Sequence, residues 1–81
     1  MEISNSSITE HQKNATAIRV MRSMLTTYAT EKQISFDELL LQFSKSNTYE
    51  VLFDFETGVW REGPYYLRAL YEEELSKTET V

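Results

Sequence analysis

The sequence predicts an all-α fold, a compact orthogonal bundle of three to four short helices, on three observations. Apolar residues recur at steps of three and four through Ala17, Ile18, Met21, Met24, Leu25 and Tyr28. A helix-start signature of cap and staple stands at residues 34–39. A Gly63-Pro64 pair precedes a last apolar stripe, and proline is favoured at a first helical position. Helices this short pack across one another more readily than they line up as a long parallel bundle. With 81 residues, two Gly, one Pro and no Cys, the chain reads as one small domain with neither a disulfide staple nor a cysteine-ligated metal.

Residues 1–11 are rich in Ser, Asn and Thr and lack an apolar period, so they read as a disordered lead-in, as does the tail 77–81. The domain is then 12–76. Its first helix spans about Ala15 to Lys32, with Arg19, Arg22, Ser23 and Thr26 on the side away from the stripe. In the second, Ser35 caps the amide of Glu38, Glu38 reaches back to Ser35, and Ile34 packs on Leu39. Phe36, Leu39, Leu40 and Phe43 then face inward, and Asp37 and Glu38 lie at the helix's positive end.

Asn47 with Glu50 three positions on predicts a third helix, capped by Asn47 and running to about Glu56, with Tyr49, Leu52 and Phe53 buried and Gly58 ending it. The same stretch admits a rival. Tyr49, Val51, Phe53 and Phe55 alternate with period two, and Glu56-Thr57-Gly58 fits a three-residue hairpin loop, giving a small hairpin over 49–61. Without a third strand such a hairpin has little support, which favours the helix. The fourth helix follows Pro64, with Tyr66 or Leu67, Leu70, Tyr71 and Leu75 as its stripe and Glu72, Glu73 and Glu74 in water.

The residue inventory narrows the chemistry. With no Cys and a single His, His11, no nucleophile and base set can be assembled. Gly58 and Gly63 form no phosphate-cradling loop, and Asp54 with Glu56 has neither helical-face nor calcium-loop spacing. The chain is therefore expected not to be an enzyme and to need no cofactor or metal. Residues 1–34 carry four basic and three acidic side chains and residues 35–81 four basic and ten acidic, so the formal charge of −5 divides as +1 and −6. An acidic surface repels phosphate backbones, so nucleic acid is not expected as a direct partner. A basic protein is expected instead. Trp60 and Tyr65 beside the Gly-Pro turn and the run Glu72, Glu73 and Glu74 are the candidate partner-binding residues, with Trp60 and Tyr66 also able to close a small core. A homodimer through the aromatic turn, an acidic mobile-element inhibitor of a host nucleic-acid enzyme, and a small DNA-binding regulator using Lys45 to Leu52 are the other readings. Met1 to Thr9 has neither the basic start nor the apolar run of a secretory signal, and no membrane span is evident, so a cytoplasmic location is expected.

Phe43-Ser44-Lys45-Ser46-Asn47-Thr48-Tyr49, then Leu52, Asp54, Glu56-Thr57-Gly58, Trp60, Pro64 and Leu70-Tyr71, resembles a group of short bacterial helical proteins. They share an apolar helix, a Phe-x-x-Ser segment and a Thr-Tyr-x-x-Leu run ending in Glu-Thr-Gly and an aromatic residue. The resemblance covers residues 18–75. Some such proteins are encoded beside toxin-like genes, which implies a role as antitoxin or accessory partner in a toxin-antitoxin locus. It implies no catalytic or ligand residue.

Overall fold

In the computed structural model, which describes residues 9–79, four helices and two short 3₁₀ turns follow one another: α1 Glu10–Lys32, α2 Phe36–Ser44, α3 Asn47–Phe53, the turns Phe55–Thr57 and Val59–Arg61, and α4 Pro64–Glu79. The fold is a small all-α bundle, and no strand occurs among the described residues. Helix α1 starts five residues ahead of its expected boundary because Thr9 and Gln12 form a complete capping box. The Gln12 amide donates to Thr9 Oγ1 at 3.1 Å and the Thr9 amide to Gln12 Oε1 at 3.0 Å. His11 is therefore helical, and Lys77 belongs to α4; the rest of the expected lead-in and tail, residues 1–8 and 80–81, lies outside the described residues. At its other end α1 stops with Gln33 in the left-handed region, φ 58°, and the Ile34 amide donates back to the Ala29 carbonyl at 3.1 Å.

The buried stripe of α1 is Ala17, Met21, Met24, Leu25, Tyr28 and Ala29, and this helix packs against α2, α3, the second 3₁₀ turn and α4. Ile18, expected inside, stays 36% exposed. Helix α2 begins where expected, the Glu38 amide donating to Ser35 Oγ at 2.9 Å, but the expected return bond from the Ser35 amide to the Glu38 side chain is not made; the helix buries Leu39 and Phe43 with Phe36 and Leu40 partly covered. The core is closed by aromatic edges. The Tyr71 ring of α4 lies 4.9 Å from Phe43 of α2 in an edge-to-face contact and 5.9 Å from Tyr28 of α1, tying three helices together.

The hairpin over 49–61 does not form. Helix α3 ends at Phe53, and Asp54 Oδ1 accepts the Glu56 amide to start a 3₁₀ turn. Thr57 then organises the bend: its hydroxyl lies 2.9 Å from the Val51 carbonyl and 2.8 Å from that of Asp54, in reach to donate to either, and accepts from the Val59 amide at 3.2 Å. Gly58, φ 77°, supplies the left-handed step that separates the two turns. The predicted helix is therefore present but ends three residues earlier than expected, and the 3₁₀ turns fill the remainder.

Candidate interaction surface

Helix α4 sets the orientation of every candidate residue except Trp60, which lies in the second 3₁₀ turn. Gly63, φ 95°, turns the backbone and Pro64 occupies the first helical position, so the Leu67 amide makes the first return bond, to the Gly63 carbonyl at 3.2 Å. Of the two registers open to the stripe, Leu67 is the one taken, with Leu67 and Tyr71 buried and Leu70, Glu74 and Leu75 partly buried. This turns Tyr66 outward, at 48% exposed, and Tyr65 further out, at 88%. Trp60 lies the other way. It is only 6% exposed, its Nε1 donates to the Phe55 carbonyl at 3.0 Å, and Arg61 covers its ring at 5.8 Å, so it closes the core and offers no free face to a partner.

The three adjacent carboxylates of α4 point to three different tasks. Glu72 accepts from Arg68 Nε at 3.2 Å, and Arg68 Nη2 also binds Glu31 of α1 at 2.6 Å, joining α1 to α4. The hydrogen bond from Arg68, aided by its charge, holds Glu31 below the ordinary Glu value, and the two carboxylates push Arg68 up. Glu73 is exposed and lies 3.8 Å from Lys77. Glu74 reaches across to α3, where Oε2 accepts the Asn47 amide at 2.9 Å and Oε1 accepts the Thr48 amide at 2.9 Å and the Thr48 hydroxyl at 2.7 Å. Ser46, and not Asn47, is the cap residue of α3, accepting the Tyr49 amide at 3.1 Å. The first three amides of α3 are thus satisfied, two of them by a carboxylate from another helix. Burial alone raises the Glu74 pKa, but the bonds from Thr48 and Asn47 outweigh it and leave the group below its ordinary value.

Between α1 and the first turn of α4 lies a cleft of about 240 Å³ lined by Ser23, Met24, Thr27, Pro64, Tyr65 and Arg68. It offers two hydroxyls, a phenol and a guanidinium around an apolar floor, groups that recognise a side chain and contain no base. Comparison with protein-family models, curated proteins and solved structures gives no match. The site therefore speaks through its own geometry. Among the described residues no group of three or more His, Asp or Glu stands close enough to hold a metal ion, and no described helix is long and apolar enough to cross a membrane.

Of the residues singled out from sequence, the structure brings Tyr65 to this cleft, gives Glu72 to the Arg68 bridge, sets Glu73 in solvent, and places Trp60 and Glu74 within the framework. Ser23, Thr27 and Arg68 were not visible as site residues, since nothing in a polar helix face marks which part of it a second helix will border. Arg19 and Arg22, on the outward face of α1, make no ion pair or hydrogen bond among the described residues.

Proposed function

We propose that this chain is a non-enzymatic protein-recognition module whose contact centre is Tyr65 at the mouth of the α1–α4 cleft. The observation that carries the reading is a large aromatic ring, 88% exposed, on a helix whose other side is locked into the core. Tyrosine on a rigid element is a low-entropy anchor for a partner. Tyr66 widens the apolar area and the cleft beside it can accept one side chain of the partner.

The partner is a basic cytoplasmic protein, and the role is that of an antitoxin or accessory component. Support comes from the charge of −6 in residues 35–81, from the exposed carboxylate of Glu62 just ahead of the Gly63-Pro64 turn, and from the resemblance over residues 18–75. The experiment is co-expression with the protein encoded by the adjacent gene. Co-purification, relief of any growth defect that protein causes, and loss of both in Tyr65→Ser with an unchanged fold are expected. A neighbour that neither binds nor is neutralised, or binding indifferent to Tyr65→Ser and Tyr66→Ser together, refutes the reading.

A further inference from the structure

The cleft beside Tyr65 continues along α1. Two of its lining residues, Ser23 and Thr27, also line a depression of about 670 Å³ on the outward face of that helix, where Ile18, Arg19 and Arg22 stand. The two hollows therefore meet in one trough that runs from the first turn of α4 back along α1. Arg19 and Thr27 are eight positions apart in the helix, which at 1.5 Å per residue makes this stretch about 12 Å long, the reach of roughly four residues of extended chain.

The lining of the trough is one-sided in charge. On a chain of net charge −5 it holds three arginines, Arg19, Arg22 and Arg68, and no carboxylate. Arg68 is committed to Glu31 and Glu72. Arg19 and Arg22, three positions apart and so on one face of the helix, are exposed and make no ion pair or hydrogen bond among the described residues. Apolar contact is offered at both ends, by Ile18, 36% exposed, beside the arginines and by Tyr65 at the cleft. A nucleic acid suits this arrangement poorly: it brings a phosphate at every residue, while the Arg68 end already holds the carboxylates of Glu31 and Glu72. A short peptide segment carrying a carboxylate matches both the free cations and the apolar ends.

We propose that the partner segment held at the Tyr65 cleft is acidic: an apolar side chain enters the cleft, the segment runs along α1, and a carboxylate about four residues away meets Arg19 and Arg22. The proposal rests on the Tyr65 reading for where the partner sits and adds which segment of it is chosen. It agrees with a partner that is basic as a whole, because the charge of −6 in residues 35–81 acts on total charge at a distance, whereas α1 lies in the part of the chain that carries +1. Tyr65 and the cleft supply the fit, and the arginine end rejects segments that would bring Lys or Arg there.

Selection of displayed random peptides, long enough to span the trough, against the full chain tests it. The expected consensus pairs an apolar or aromatic residue with Asp or Glu about four positions away. Its synthetic peptide is expected to bind Arg19→Glu combined with Arg22→Glu about tenfold more weakly than wild type, at exposed positions that leave the circular dichroism unchanged. With Lys in place of its acidic residues the peptide is expected to prefer that double variant, and Tyr65→Ser is expected to weaken the original peptide as well. A selection that enriches no peptide, or peptides without acidic residues, overturns the proposal. So does binding that is lost in Tyr65→Ser and indifferent to the arginine reversal, which leaves the Tyr65 reading standing. Acidic peptides that need the arginines but ignore Tyr65→Ser and Tyr66→Ser together remove the Tyr65 reading, and the joint trough with it. A labelled oligouridine that binds the wild type more tightly than the peptide, and is lost on the arginine reversal, overturns the proposal by making the face a phosphate site.

Discussion

Removing the Glu74 carboxylate tests how a seven-residue helix is held in place. Helix α3 is too short to be stable alone, and its amides at Asn47 and Thr48 are satisfied by Glu74 from α4. In Glu74→Ala the Asn47 amide, at an exposed residue, rehydrates at little cost. Thr48 is 5% exposed, so its amide and hydroxyl lose their acceptor in a nearly dry setting. A stranded buried donor costs about 1–3 kcal/mol, and the water admitted by the smaller side chain returns part of it, giving a loss of about 2 kcal/mol. For a domain of this size that lowers Tm by roughly 8–16 °C. Glu74→Gln keeps one acceptor but turns an amide donor toward donors, and about half of that loss is expected. Thermal unfolding followed by circular dichroism, with Glu73→Ala as the exposed control, measures it. A Thr48→Val cycle isolates the hydroxyl's share, with a coupling of about 1 kcal/mol expected. If Glu74→Ala unfolds with the same Tm as Glu73→Ala, or if the cycle is additive, the carboxylate is not what fastens α3.

The same carboxylate makes stability pH-dependent. Because its folded value lies below the ordinary 4.5, its contribution is complete above that pH and is lost as the pH falls through the lower folded value. Between neutrality and about pH 5 the Tm difference between wild type and Glu74→Gln is therefore expected to hold constant, and below pH 4.5 to shrink; a difference that grows on acidification contradicts the assignment. Gly58→Ala and Gly63→Ala separate backbone strain from contact: both positions have φ in the left-handed range, 77° and 95°, but only at Gly58 does an added Cβ meet a neighbour, the guanidinium of Arg61 at 3.4 Å. Each is expected to cost about 1–2 kcal/mol by chemical denaturation, nearly equally. A much larger loss at Gly58 shows that Arg61, stacked on Trp60, is unable to move aside.

What was legible in the sequence follows the range of the forces involved. The start of α2 is fixed by Ser35 and Glu38, three residues apart, and it forms where expected. The Thr9 and Gln12 pair that starts α1 has the same spacing and was equally readable; the polar composition of residues 1–11 obscured it. At Ser46 and Asn47 two good cap residues stand side by side, and local chemistry does not choose between them. The choice is made by Glu74, 27 residues on from Asn47, which takes the Asn47 amide and so requires Asn47 inside the helix. The stretch after Phe53 was ambiguous because its aromatic residues suit period two as well as a buried turn, and the decision rests on the bonds of the Thr57 hydroxyl, which a composition argument does not see. The acidic run of α4 was misleading for a related reason: three consecutive side chains on a helix point about 100° apart, so consecutive carboxylates seldom form one surface.

That dispersal changes what the charge of the chain can do. An acidic patch acting as a unit needs its carboxylates unpaired on one face, yet Glu72 is bound to Arg68 and Glu74 to α3, which leaves Glu73 the most exposed of the run. On the reading proposed above, the negative charge of the second half acts on a basic partner as a long-range field, raising the encounter rate and weakening with salt, while the fit at contact is left to uncharged groups. On the proposed reading, the rings that the small core leaves outside, Tyr65 and Tyr66, supply that fit. Raising the salt concentration should then slow association with a basic partner far more than it speeds dissociation, whereas Tyr65→Ser should do the reverse. A salt effect confined to the dissociation rate would mean that buried ion pairs, and with them the α4 carboxylates, sit at the contact after all.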